Sequence, residues 1–159
     1  ATVRVLAARG RYFFDETGRA TRMIGVMEDV THSRRAQEAL RESEARFREF
    51  GEASTDILWI REAATLYMVY LSPAFTSIYG MPMTLVYGAR GFKRWIERIH
   101  RDDRAGVLQA IRRVRAGEDV VHEFRILRPD GEVRWIRNTD FPLRDADGRV
   151  SHVGGIAQD

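Results

Sequence analysis

Residues 1–29 recur, without a gap, as residues 131–159. Val3-Arg4-Val5-Leu6 falls on Val133-Arg134-Trp135-Ile136, and Asp15-Glu16-Thr17-Gly18-Arg19 falls on Asp145-Ala146-Asp147-Gly148-Arg149. Gly25 through Asp29 falls on Gly155 through Asp159, making seven identities in 29 positions. Such an echo demands that one supersecondary unit be built twice. The two copies carry Glu-Thr-Gly and Asp-Ala-Asp-Gly turns between β-rich runs, so each is expected to be a hairpin. The expected pairing in the first copy is Thr2–Phe14 with Arg22–Val30. By this reading the chain starts near the end of one module and stops at the end of the next, as a piece of a tandem array.

Local patterns fill in the second module. Pro129-Asp130-Gly131 is a third hairpin turn, separating Val120–Leu127 from Val133–Phe141. In the first of these runs His122, Phe124 and Ile126 alternate with Glu123 and Arg125, the period of a strand with one wet face. Ile57–Ile60 and Leu66–Leu71 are two more short β-rich runs, giving five strands in residues 56–159. Val107, Leu108, Ile111 and Val114 share a helical face between Asp103 and Ala116, with Asp102 or Asp103 as cap and Gly117 as stop. Phe92, Trp95, Ile96 and Ile99 mark a shorter helix before His100. Ser72-Pro73 opens another that ends at Gly80.

Between the two copies, Ala36, Leu40, Ser43, Phe47 and Phe50 recur at spacings of four and three, a heptad seam. Two placements satisfy it: a helix lying on its own domain, or a two-chain coil with Leu40, Phe47 and Phe50 at the contact. Composition removes several other classes. The chain has no cysteine, which excludes disulfides, thiolate zinc sites and thiol nucleophiles. A net charge of +3, from 26 basic and 23 acidic residues, gives weak grounds for nucleic-acid binding. The arginines at 112, 113 and 115, and those of the seam, have acids among them and no interleaved aromatics, so they are expected to be solvated faces. Ala63–Ala89 is free of charge but broken by Pro73, Gly80, Pro82 and Gly88, which suits buried core and not a membrane span.

Taken in order, several of these segments resemble a PAS domain closed by a PAC motif. They are Asp56-Ile57-Leu58-Trp59-Ile60; Leu71-Ser72-Pro73-Ala74-Phe75 with Tyr79-Gly80; Ile99-His100-Arg101-Asp102-Asp103-Arg104; Phe124-Arg125; Asp130-Gly131; Arg134-Trp135-Ile136; and Gly155-Ile156 before Asp159. The likeness covers about Phe47 to Asp159, and the PAS subgroup with Trp after Arg in the fourth strand fits best. Residues 1–31 resemble the tail of an upstream PAC, ending in Asp29-Val30-Thr31. One position departs from the pattern: the family usually has proline after the interhelical histidine, where this chain has Arg101.

The resemblance implies an α+β fold, a five-stranded antiparallel sheet in order 2-1-5-4-3 with short helices on one face. The expected organisation is the C-terminal hairpin of an upstream PAS/PAC repeat at 1–31, an amphipathic linker helix at 32–50, and a PAS/PAC sensor domain at 51–159. It implies a cytoplasmic sensory or relay module in a multidomain protein with a histidine kinase or diguanylate cyclase output, and a signal junction at Asp29, Thr31 and Asp159. The alternative is a ligand-free dimerisation or docking module. A homodimer through the linker helix is expected, alongside neighbouring PAS and output domains, with no nucleic acid and no membrane insertion by this segment. Tyr79, Trp95, Ile99 and Phe124 are the candidate cavity wall, or else plain core filling. No catalytic group or metal cluster stands out among the serines and the four histidines. The expected cofactor is none: His100 is the sole candidate axial ligand for haem, and thiol-dependent flavin photochemistry lacks its cysteine. Enzymatic activity is expected outside this segment.

Overall fold

The computed structural model describes residues 3–159. They divide into two compact units, residues 3–48 and Glu49–Asp159. In the first unit, β1 (Leu6–Phe14) and β2 (Ala20–Asp29) form an antiparallel hairpin. The ladder starts later than expected at its open end, at Leu6 with Asp29, and reaches further at the turn, where Phe14 pairs with Ala20 and not Arg22; Thr2 lies outside the described residues. The helix that follows, α1 (Thr31–Ala53), extends beyond the predicted 32–50 at both ends. Leu40, Phe47 and Phe50 are exposed along it.

The second unit is built on a five-stranded antiparallel sheet. Its strands are β3 (Ile57–Glu62), β4 (Met68–Leu71), β5 (Val120–Leu127), β6 (Val133–Arg144) and β7 (Val150–Gln158), in the order β4-β3-β7-β6-β5. This is the expected 2-1-5-4-3 order. The connection from β4 to β5 carries α2 (Ala74–Tyr79), a 3-10 turn (Met83–Val86), α3 (Gly91–Arg98) and α4 (Arg104–Arg115). α4 packs across β5, β6 and β7, and α2 against β3.

Side chains alternate as a pleated sheet requires, so one face of each strand meets the helices. Phe75, Val107, Phe124, Ile126 and Ile136 are buried between the layers, each at 2% exposure or less. A side chain of this size contributes about 1.5–3 kcal/mol when removed from water. The opposite sheet face carries Val121 and the exposed Trp135, over whose ring the Arg125 guanidinium sits at 5.4 Å.

Turns follow the residues expected of them. Gly80 closes α2 in a left-handed conformation, its N–H donating to the Thr76 carbonyl at 2.9 Å. Asp103 does occupy the N-cap position of α4, but its side chain makes no capping bond. That carboxylate is turned toward β5 instead. No helix among the described residues is long and apolar enough to cross a membrane.

The two hairpins match in pairing as well as in sequence. Ala7 faces Glu28 and Gly10 faces Gly25 in the first; Arg137 faces Gln158 and Asp140 faces Gly155 in the second. Both registers slip at the same place, between Phe13 and Phe14 and between Leu143 and Arg144. In both turns the leading aspartate, Asp15 or Asp145, accepts from backbone N–H groups two and four residues on, at 2.9–3.0 Å. The ion pair of Arg4 with Asp29 also recurs as Arg134 with Asp159. All of these are related by the same 130-residue shift read from the sequence.

Candidate functional site

The helix-facing side of the sheet is apolar at its ends and polar in its middle. Ile57, Trp59 and Arg61 stand on one face of β3; Ile136, Asn138 and Asp140 stand on the same face of β6. Two rows of register bring them together. Trp59 pairs with Gly155, which pairs with Asp140; Ile57 pairs with Ala157, then Asn138, then His122. Gly155 is required here: a Cβ would lie 2.5 Å from the Trp59 ring and 2.8 Å from the Thr139 carbonyl. The missing side chain is the space through which the Trp59 indole N–H reaches the Asn138 Oδ1, at 3.2 Å.

Asn138 and Asp140 are buried, at 3% and 1% exposure, so each polar atom needs a partner. The Asn138 amide donates to Asp140 Oδ1, and His122 Nε2 lies 3.2 Å from Asp140 Oδ2. The same ring nitrogen lies 3.2 Å from the Asn138 amide nitrogen, so Asp140, Asn138 and His122 form one buried polar cluster.

These groups line a cavity between the sheet and the helices, together with Phe75, Val107 and Ile111. It offers about 40 Å³ to the centres of water-sized molecules.

Across the cavity wall, Arg61 is buried to 5% exposure. One guanidinium N–H donates to the Leu66 carbonyl at 2.9 Å. Leu66 sits at φ 61°, a left-handed conformation that costs a non-glycine residue about 1–2 kcal/mol. The guanidinium carbon lies 5.0 Å from the Trp95 ring centroid and 5.4 Å from that of Phe92. Burial pulls its pKa down to about 10, which leaves it cationic at neutral pH. Trp95 in turn donates its indole N–H to the Tyr79 hydroxyl at 2.9 Å. Burial pushes the Tyr79 phenol up, and that bond and Arg61 only partly oppose it.

Of the four predicted wall residues, Tyr79, Trp95 and Phe124 line the cavity. Ile99 does not. It is buried and bridges to Ile126 at the end of α3, so it fills core away from the opening. His100 lies in the α3–α4 turn, donating its backbone N–H to the Arg125 carbonyl at 2.8 Å, and is not on the wall. The sequence reading did not single out Arg61, Trp59, Asn138, Asp140 or His122. Their signal was phase: His122 shares its strand face with Phe124, and Asn138 and Asp140 share theirs with Ile136.

The junction residues surround the strand ends. Asp29 accepts from the Thr31 backbone N–H at 3.0 Å and from Arg4 at 2.9 Å, and these bonds with the Thr31 hydroxyl hold its pKa below the usual carboxylate range. The Thr31 hydroxyl also accepts from the Val5 N–H at 2.8 Å. At the corresponding end of β7, Asp159 pairs with Arg134. One residue earlier, Gln158 donates to Asp56 at 2.8 Å, placing the end of β7 beside the entry to β3. The last turns of α1 rest on β4, where a Cβ on Gly51 would fall 1.7 Å from the Tyr70 hydroxyl.

A five-stranded sheet in this order, with its helices in one crossover, agrees with the family comparison: the PAS fold matches residues 68–157. This chain belongs to the PAS fold family. PAS domains are generally regulatory sensor modules. The chain is 30% identical over 147 residues to the Sinorhizobium fredii protein y4lL, covering 91% of the chain and 17% of that protein. Over 143 residues it is 28% identical to the methanogenesis regulatory histidine kinase FilI of Methanothrix harundinacea, covering 88% and 15%. It thus spans less than a fifth of the length of either relative. Among solved structures, it resembles the N-terminal domain of a diguanylate cyclase with PAS/PAC sensor from Marinobacter aquaeolei. There the TM-score is 0.59 at 26% identity, over 65% of this chain and 94% of that one. Kinship with a regulatory histidine kinase and with the N-terminal domain of a diguanylate cyclase with PAS/PAC sensor supports a sensory role.

Proposed function

We propose that this chain is a sensory and relay segment of a cytoplasmic multidomain signalling protein with a histidine kinase or diguanylate cyclase output. The observation that carries the reading is the adjacency of cavity and junction. Trp59 and Arg61 on the cavity wall belong to β3, whose entry at Asp56 is tied to the end of β7 by Gln158. A change of cavity contents that favours one arrangement of β3 and β7 thereby biases both α1 and whatever follows Asp159. In this reading the N-terminal hairpin is the closing hairpin of a preceding PAS/PAC repeat, supported by its matching register and ion pair. Two chains associate along α1 through Leu40, Phe47 and Phe50, whose exposed apolar area would leave water at about 25 cal/mol per Å². The module works without haem or flavin, and catalysis belongs to the output domain.

The test is a spin label on a single cysteine placed at Glu44, since the chain has none of its own. The distance between labels in the dimer should shift when the cavity is filled, and Asp56→Ala should blunt the shift. An unchanged distance would favour the second reading, a docking module, which the small size of the cavity also suits.

A further inference from the structure

We infer that the cavity takes a small organic carboxylate, held by Arg61 and Tyr79. The inference rests on the sensory reading and names the chemistry of its ligand. A guanidinium has five N–H donors. The Arg61 group spends one on the Leu66 carbonyl at 2.9 Å and has no carboxylate partner among the described residues. The rings of Phe92 and Trp95 attract the charge but accept nothing from its edge. A buried cation without a counter-ion is costly, and evolution or chemistry normally supplies a partner. Tyr79 is in the same state: its oxygen accepts from Trp95, and its own proton meets no acceptor among the described residues. Both groups touch the Trp95 ring, Arg61 over its face and Tyr79 at its N–H edge, and both line the cavity.

The acids on the wall do not compensate. Asp140, the one buried carboxylate there, is taken up by Asn138 and His122. What is left unsatisfied is donor and cationic, which selects an anion. The remaining wall is apolar, through Leu71, Phe75, Val107 and Ile111. A carboxylate with a short hydrocarbon body matches both halves, and the confined space favours short chains, from acetate to butyrate. Two charge-assisted bonds to one carboxylate are stronger than their neutral counterparts, which gives discrimination against the amide.

The indole N–H resonances of the three tryptophans give the readout. Titration of the full chain with propionate should shift the Trp95 resonance saturably and leave that of Trp135, on the opposite sheet face, in place. Propionamide and matched chloride should not reproduce it. Arg61→Met should abolish the response and Arg61→Lys weaken it about tenfold. Should Arg61→Met fail to fold, Tyr79→Phe, which keeps the ring, should weaken propionate binding by about fivefold. Equal binding of propionamide, or binding indifferent to both substitutions, overturns the carboxylate and leaves sensing by a neutral ligand intact. No response to acetate, propionate or butyrate overturns the proposal, and the label distances at position 44 then decide separately whether the module relays at all.

Discussion

Asp103 and Arg125 are joined three ways: the Arg125 backbone N–H, Nε and a terminal guanidinium nitrogen all donate to the Asp103 carboxylate, at 2.8, 2.9 and 2.6 Å. The pair clamps the start of α4 to the middle of β5. It holds the Asp103 pKa down to about 2 from an ordinary 3.8, with the Arg125 side-chain bond the largest cause. A depressed carboxylate stabilises the fold above its unfolded pKa and loses that contribution as pH falls through its folded value. Stability should therefore drop between about pH 4 and pH 2, by about 1–2 kcal/mol once solvent screening of the partly exposed pair is allowed for. Urea melts across that window should show the step in the native chain and not in Asp103→Asn.

Gly155→Ala should destabilise the second unit by about 3 kcal/mol, because the new methyl meets the Trp59 ring and the Thr139 carbonyl together. Adding Trp59→Phe to the same chain should recover part of the loss, since a smaller ring clears one of the two obstacles. Thermal unfolding of the single and double variants measures both effects. If the double variant is no better than the single, the carbonyl alone sets the cost.

Trp95 is half-buried, not fully enclosed as its apolar spacing implied. Replacing it with alanine should cost about 2–3 kcal/mol, below the 3–5 kcal/mol typical of a fully buried tryptophan. Part of that is the lost partner of Tyr79 and part the ring beneath Arg61. Denaturant titration gives the number, and a loss below about 1 kcal/mol would show that Trp95 contributes little to packing.

Leu40→Glu with Phe47→Glu should convert a dimer to a monomer by light scattering. Both side chains are exposed in the single chain, so the double substitution leaves the PAS unit folded by circular dichroism. A native chain that is already monomeric at high concentration would place the seam against another surface.

Much of the architecture could be read before any coordinates. The hairpins announced themselves through Asp15, Gly18, Asp145 and Gly148, because few residues serve a turn with positive φ and a side chain that accepts from the next backbone amides. Arg4 and Asp29 were visible as half of a repeated pair, though nothing in a one-dimensional string says that residues 25 apart are bonded. The cavity was harder. Arg61, Asn138 and Asp140 are polar residues in strands, and polarity ordinarily marks the wet face. Only register, which sets Asn138 beside His122 and Asp140 beside Gly155, turns them inward as a group. Asp103 misled for the opposite reason. It stands where a capping aspartate belongs, but a guanidinium on β5 offers its carboxylate more than the helix N-terminus does.

The central position of β7 governs how the second unit comes together in time. Two hairpins, β3–β4 and β5–β6, are local in sequence and close rapidly, but no ladder joins them directly. β7 joins β6 through the local turn at Asp145–Gly148, and the β3–β4 hairpin meets this meander only when Ile57 pairs with Ala157, one hundred residues away. Closing so long a loop costs entropy before any contact repays it, which makes this docking the expected slow step of folding. Until it occurs, β3 and β7 each present an open edge to their surroundings, and Gly154 and Gly155 give the β7 edge little side-chain bulk to obstruct the approach.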